Sequence, residues 1–221
     1  MNIFDIIGPV MVGPSSSHTA GLVRIGNIVN KILGTVPVKI DIKFHGSFAK
    51  TYKGHGSDKA IIAGLLGFKP DDERIKDIFA IADERCISYS FTTVELQNAH
   101  PNTVVIAAAT EDGTEINVTA ESIGGGNIII RKIDDIEAEF DGQYDTLVIR
   151  HNDEPGVIAQ VTSILAAAQV NIATMEVYRS SRGGDAIMII GADGQLNKNL
   201  CKAMELLPHI KRSTIIWGIK H

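Results

Sequence analysis

The last third of the chain carries the tightest constraint on what it can fold into. From Thr146 to Ile219 the apolar pattern reads strand, helix, strand, hairpin, strand, helix, strand. Thr146–Arg150 has strand character, and Val157, Ile158, Val161, Ile164, Leu165 and Ala168 then recur at helical spacing. Asn171–Arg179 and Asp185–Gly191 read as strands joined by the turn-forming run Ser180-Ser181-Arg182-Gly183-Gly184. A second helix from Asn197 to Leu207 and a strand from Lys211 to Ile219 complete the order. Such a βαββαβ order is a split-βαβ unit, a four-stranded sheet with two helices on one face that buries its own core. Asp141-Gly142-Gln143-Tyr144 breaks the pattern just before it, so two domains are expected, residues 1–141 and 145–221. No long linker separates them, so close packing of the two is expected.

The first domain reads as α/β. Leu22, Ile25, Ile28, Val29, Ile32 and Leu33 mark one face of a helix, and Val36–Phe44 alternates as a half-buried strand. A helix over Lys59–Leu66, capped by Ser57 or Asp58 and closed at Gly67, is expected next. Pro70–Arg85 reads as a further amphipathic helix with Ile75, Ile78, Phe79, Ile81 and Ala82 inward. Strand-like runs follow at Ser88–Leu96, Thr103–Ala109, Glu115–Ile123, Asn127–Lys132 and Glu137–Phe140.

Four short stretches stand apart from this scaffold. Gly13-Pro14-Ser15-Ser16-Ser17-His18-Thr19-Ala20-Gly21 precedes the first helix. One hydroxyl suffices as a helix cap, so three serines, a histidine and a threonine exceed that need. A helix start also attracts anions, and a small carboxylate or phosphate bound beside His18 is the sharper reading. Glycines flank His55 in Lys53-Gly54-His55-Gly56-Ser57-Asp58-Lys59, which lacks the Walker A order. Two readings stay open there: a loop that contacts an anion or substrate, and an ordinary turn into a helix. Asn98-Ala99-His100-Pro101-Asn102 fits a turn or a secondary site. Gly124-Gly125-Gly126 fits either a close approach of backbone or ligand, or a plain hairpin loop.

Composition narrows the function classes. The net charge is −5 and the basic residues are scattered, against a nucleic-acid binder. Nothing approaches a run of about 18 apolar residues, so no membrane helix is expected. Met1-Asn2-Ile3-Phe4-Asp5 lacks the basic start of a signal peptide, so a cytoplasmic protein is expected. The two cysteines, Cys86 and Cys201, are far apart and match no zinc or iron–sulfur ligand pattern.

His151-Asn152-Asp153-Glu154-Pro155-Gly156-Val157-Ile158, with Val170-Asn171-Ile172 beyond it, resembles the first loop and second strand of an ACT domain. That resemblance implies an amino-acid-sensing module that pairs into a homodimer. Its effector contacts would fall on His151, Asp153, Gly156, Val157 and Asn171. A serine-sensing relative carries Asn where this chain has Asp153, and a carboxylate there suits an effector ammonium or a cation. A purely dimerising ACT fold is the plainer alternative.

The N-terminal motifs Gly13–Thr19, Gly54–Ala60, Asn98–Asn102 and Ser122–Gly126, in this order, resemble the β chain of bacterial iron–sulfur-dependent L-serine dehydratase. The resemblance covers essentially the whole chain. It implies an α+β protein whose N-terminal domain is similar to the extra substrate-like domain of some 3-phosphoglycerate dehydrogenases, followed by a ferredoxin-like ACT domain. It also implies α,β-elimination of L-serine to pyruvate and ammonia on a [4Fe–4S] cluster, one iron acting as Lewis acid on the hydroxyl. Two distant cysteines cannot hold that cluster, so a separate α chain is expected to carry it, and this chain alone is expected to be inactive. Under that resemblance His18 and His55 line the active site, and Ser16, Ser17 and Thr19 supply hydroxyls and N–H groups to the serine carboxylate. The base itself is not assigned to either chain. The rival readings are a purely regulatory amino-acid sensor and a stand-alone Ser17–His18 hydrolase. The hydrolase is disfavoured because adjacent residues rarely form a nucleophile–base pair and no G-x-S-x-G elbow is present.

Overall fold

The computed structural model describes residues 11–194 and 196–218. The N-terminal Met1–Asp5 reading and Ile219 lie outside them. The chain forms two compact units, residues 1–134 and 135–221.

In the first unit, a π-helical turn (Ser16–Gly21) runs directly into α1 (Leu22–Leu33). Leu22, Ile25, Val29 and Ile32 are buried, as the spacing requires. β1 (Lys39–Phe44) is shorter than the alternation suggested, because Val36 and Val38 are exposed ahead of it. Its Ile40, Ile42 and Phe44 enter the core while Lys39 and Lys43 stay on the other face. A short helix, α2 (Gly46–Thr51), then forms where the sequence pattern assigned no element. α3 (Ser57–Leu65) follows, and Asp58 in its first turn accepts the Lys59 N–H on Oδ1 at 2.8 Å. The cap is Gly56, whose left-handed backbone (φ 67°) lets the chain turn sharply into the helix.

The expected helix over Pro70–Arg85 is broken. Asp72 caps a 3₁₀ turn (Glu73–Asp77) through the Arg74 N–H, and only then does α4 (Ile78–Glu84) form. β2 (Ser88–Thr93), β3 (Thr103–Ala109), β4 (Glu115–Gly124) and β5 (Asn127–Ile133) complete the unit, with strand order β2-β1-β3-β4-β5. β1 and β2 are parallel; the other pairs in this order are antiparallel, with Ile42 opposite Ile106 and Ile106 opposite Val118 in the core layer. α1 packs on β4, β5 and α3. The two helices meet where neither has a side chain, since a Cβ on Gly64 would stand 2.2 Å from the Val23 carbonyl oxygen and one on Gly26 2.7 Å from that of Ile61.

β6 (Ile136–Phe140) opens the second unit and lies against its strands β8 and β9. The rest follows the expected order: β7 (Asp145–Asn152), α5 (Val157–Ala167), β8 (Asn171–Arg179), β9 (Asp185–Asp193), α6 (Lys198–Glu205) and β10 (Ile210–Ile216). The sheet order β10-β7-β9-β8 is antiparallel throughout and has the ferredoxin-like form. Val157, Val161 and Leu165 of α5 join Leu200 and Met204 of α6 in one core with Leu147, Ile149, Met188 and Ile190.

Candidate functional site

The site in the first unit is built around His18. His18 lies in the π-helical turn, 9% exposed, with its ring against Phe48 and Thr51 of α2. Ser15 begins the turn, accepting the His18 N–H on its Oγ at 3.3 Å. The same Oγ is 3.2 Å from Nδ1 of the ring. On the far side Nε2 lies 3.1 Å from Thr51 Oγ1, and that hydroxyl donates to the Ser47 carbonyl at 2.8 Å. Phe48 meets the ring edge-on with centroids 5.0 Å apart.

The two histidines foreseen from sequence are brought together. His55 packs against His18 with centroids 4.7 Å apart and planes at 74°. Burial, and then the proximity of His55, lower the His18 pKa below its ordinary 6.5, so the ring is neutral near pH 7. His55 Nδ1 is buried without a partner, as are the hydroxyls of Thr19, Ser57 and Ser122. Buried polar atoms left unbonded are costly and uncommon, and a cluster of them is where a ligand or partner finds its donors. Ser57 begins α3 and Ser122 lies near the end of β4, two elements that pack against the turn; a Cβ on Gly21 would stand 2.2 Å from Ser122 Oγ. Ser16 and Ser17 are half-buried and Thr19 is buried.

The surrounding loops hold this arrangement. The Ser47 N–H donates to the Pro101 carbonyl at 2.7 Å, fixing the start of α2. His100 Nδ1 accepts the Asn102 N–H at 3.1 Å, and Asn102 Nδ2 donates to the Ser122 carbonyl at 3.3 Å. His100 and Asn102 thus act as scaffold. The three glycines after Ile123 form the β4–β5 hairpin in left-handed backbone (φ 104°, 61° and 80°), and Arg24 of α1 donates to the Gly126 carbonyl at its end. Sequence reasoning missed Ser15 and Thr51 as ring-holding groups and Ser47 as the anchor of Thr51, along with the buried hydroxyls of Ser57 and Ser122. The hydroxyls sat at motif positions, but Thr51 carried no signal, since a six-residue helix shows no periodicity.

In the second unit the β7–α5 turn carries the other candidates. His151 is 2% exposed; its Nδ1 is 2.7 Å from the Asn152 carbonyl, and its Nε2 is buried without a partner. Asp153 Oδ2 accepts from Arg179 Nη1 at 2.8 Å and from the Gly183 N–H at 3.1 Å, which holds its carboxyl below the usual range. Gly156 caps α5 in left-handed backbone. The Val157 side chain is in the core, so only its backbone is left to meet a ligand. Asn171 is exposed at the start of β8 and donates to Asp193 at 3.0 Å.

For an iron–sulfur cluster the residues do not fit. Cys86 is exposed in the first unit and Cys201 half-buried in the second, and no three or more His, Cys, Asp or Glu side chains among the described residues are placed to hold a metal. No helix among the described residues is long and apolar enough to cross a membrane.

Comparison with known proteins agrees with both halves. Residues 2–88 match the family described as serine dehydratase beta chain, and residues 146–200 match the ACT domain. A probable L-serine dehydratase beta chain of Bacillus subtilis is 43% identical over 215 residues, covering 97% of each chain. The L-serine dehydratase beta chain of Peptoniphilus asaccharolyticus is 40% identical over 202 residues, covering 91% of each. A D-3-phosphoglycerate dehydrogenase of B. subtilis is 30% identical over 190 residues, 85% of this chain and 35% of that protein. Similarity of this extent along nearly the full length means that the chain belongs to the serine dehydratase β-chain family.

Proposed function

We propose that this chain is the β subunit of a two-chain L-serine dehydratase, releasing pyruvate and ammonia from L-serine beside a cluster-bearing α chain. The observation that carries the reading is the paired imidazoles of His18 and His55, with partnerless buried hydroxyls of Thr19, Ser57 and Ser122 on the turn and on elements packed against it. α,β-Elimination must remove a weakly acidic Cα proton, which requires a positioned base and a stabilised carboxylate. A neutral His18 keeps a lone pair available near pH 7, where imidazole is suited to proton transfer. Thr19, with Ser16 and Ser17, supplies hydroxyls for the carboxylate. The β-hydroxyl departs as water, a loss that the cluster on the α chain would assist as Lewis acid, and the aminoacrylate left behind hydrolyses to pyruvate and ammonia. The cysteines of this chain do not fit a [4Fe–4S] cluster, so the reading assigns it to the α chain, and no step given to this chain runs through it.

Residues 145–221 then serve as the sensing domain, pairing with a second copy and taking an amino acid or cation at His151, Asp153, Gly156, the Val157 backbone and Asn171. The catalytic half is the stretch before the break at Asp141–Tyr144, residues 1–141, of which residues 1–134 form the first compact unit and β6 falls in the second. Anaerobic pyruvate release from L-serine tests the whole: no activity from this chain alone and turnover with a cysteine-rich α chain is expected. Turnover by this chain alone, without iron, would defeat it. Inactivity of the complex with the partner's cluster intact would favour a sensor without catalytic residues.

A further inference from the structure

The hydroxyls around His18 define its protonation state, not only its position. Thr51 has one hydroxyl proton and two acceptors within reach, the Ser47 carbonyl at 2.8 Å and His18 Nε2 at 3.1 Å. The shorter O–H···O bond takes the proton, which leaves the Thr51 oxygen facing Nε2 as an acceptor. Nε2 must then carry the ring hydrogen, and Nδ1 is the bare nitrogen, facing Ser15 Oγ at 3.2 Å. Thr51 is held in place by α2, and α2 by the Ser47 N–H on the Pro101 carbonyl.

We propose that Thr51 is a positioning residue that holds His18 in the Nε2–H tautomer, so that Nδ1, beside Ser15, is the ring atom that accepts a proton. The inference rests on the reading of His18 as an active-site residue. Protonation at Nδ1 leaves the Nε2–H···Oγ1 and Oγ1–H···O bonds of Thr51 as they were, so that side of the site does not reorganise during transfer. Protonation at Nε2 would confront a hydroxyl already committed to Ser47. Among the three consecutive serines, Ser15 is therefore the one in proton-transfer contact with the ring, while Ser16 and Ser17 remain available to substrate.

Long-range ¹H–¹⁵N spectra of the full chain read the tautomer directly, with the His18 signals assigned by their loss in His18→Gln. At neutral pH the wild-type ring is expected as the Nε2–H form. An Nδ1–H ring or an imidazolium there would overturn the proposal even if no Thr51 variant folds. Thr51→Val keeps the shape without the hydroxyl and is expected to shift the ring toward the other tautomer, and Thr51→Ser to restore it. A folded Thr51→Val chain with the wild-type tautomer would also overturn it. In the complex with the α chain, Thr51→Val should lower kcat by about tenfold or more with KM for L-serine little changed, and Thr51→Ser should recover it. A tautomer that moves while turnover stays constant supports the hold of Thr51 on the ring and counts instead against a catalytic part for His18.

Discussion

Each unit places a histidine where the chain turns into a helix, and the two turns are finished in opposite ways. Around His18 both ring nitrogens meet side-chain hydroxyls, and the unsatisfied atoms nearby are buried. His151 is itself buried with an unpartnered Nε2, but the turn after it is held by its own backbone and by an exposed ion pair, with Asp153 on Arg179 and on the Gly183 N–H. A buried, preorganised cluster of neutral groups suits chemistry, because its dipoles act in a dry setting and need not reorganise. An exposed turn with compensated charge suits reversible recognition of a small solute, where affinity is tuned and no bond is broken. Under the proposed function, this contrast is what would set a reacting site apart from a sensing one within a single chain.

The largest effect expected from breaking the contrast is on turnover. His18→Gln in the complex should cost about 100-fold or more in kcat, within the range for loss of a general acid–base group, with the complex still assembled. His55→Ala should fall in the same direction. His151→Gln should leave kcat within a few-fold and change only the response to effector. Steady-state pyruvate release, with assembly checked by size-exclusion chromatography, decides it. Equal losses from His18 and His151 variants would erase the distinction between the two turns.

Next in size is the packing beneath the first site. A methyl on Gly64 would stand 2.2 Å from the Val23 carbonyl oxygen and 2.9 Å from Gly26 Cα, both backbone, so α1 and α3 must separate. Gly64→Ala should cost about 1–3 kcal/mol, the usual range for overpacking. At about 2–4 °C per kcal/mol for a chain of this size, calorimetry would register the shift. Because α1 leads out of the His18 turn, activity should fall along with the melting temperature. An unshifted melting curve would mean that the helix contact does not hold the site.

The scaffold was legible in the sequence wherever an element was long and periodic. The βαββαβ order, α1 and β3 emerged close to their final bounds because their apolar residues recur along runs bounded by turn-forming residues. The failures lie where local chemistry overrode periodicity. Pro70-Asp71-Asp72 followed by charged residues satisfied its backbone as a capped 3₁₀ turn, which shortened the helix to α4. α2 was invisible because six residues make less than two turns, yet it supplies Phe48 and Thr51 to the ring, with Ser47 holding Thr51. His18 and His55 could be paired in advance only through the family resemblance. Nothing in their spacing announces a 4.7 Å contact, which depends on how α2 and α3 fold back on the turn.

A smaller effect follows from the depressed pKa of His18. Burial, then His55, keep the folded ring neutral below the 6.5 at which the unfolded ring titrates. Between those two values the unfolded chain binds the extra proton, so the contribution is fully present above pH 6.5 and is lost as pH falls below it. Urea midpoints between neutral and mildly acidic pH should therefore fall more for the wild type than for His18→Gln. Parallel profiles would show that His18 is not the group that titrates.

The smallest structural effect is expected at the sensing turn, from Asp153→Asn. The carboxyl sits below its ordinary range chiefly because of Arg179, then the Gly183 N–H, but Arg179 is 56% exposed and solvent screens the pair. Asn keeps an oxygen for the Gly183 N–H, so the β8–β9 hairpin should stay in place and the melting temperature should barely move. What changes is charge. With Asp153 neutral, the guanidinium of Arg179 beside the turn is no longer compensated and is free to attract the carboxylate of an amino acid. Calorimetric titration of the full chain with L-serine should accordingly show tighter binding in Asp153→Asn than in the wild type, with the difference shrinking as salt is added. Weaker binding would mean that Asp153 meets the effector ammonium directly. A fall in melting temperature as large as that of Gly64→Ala would mean that the turn is structural, and the two histidine turns would then differ in location but not in kind.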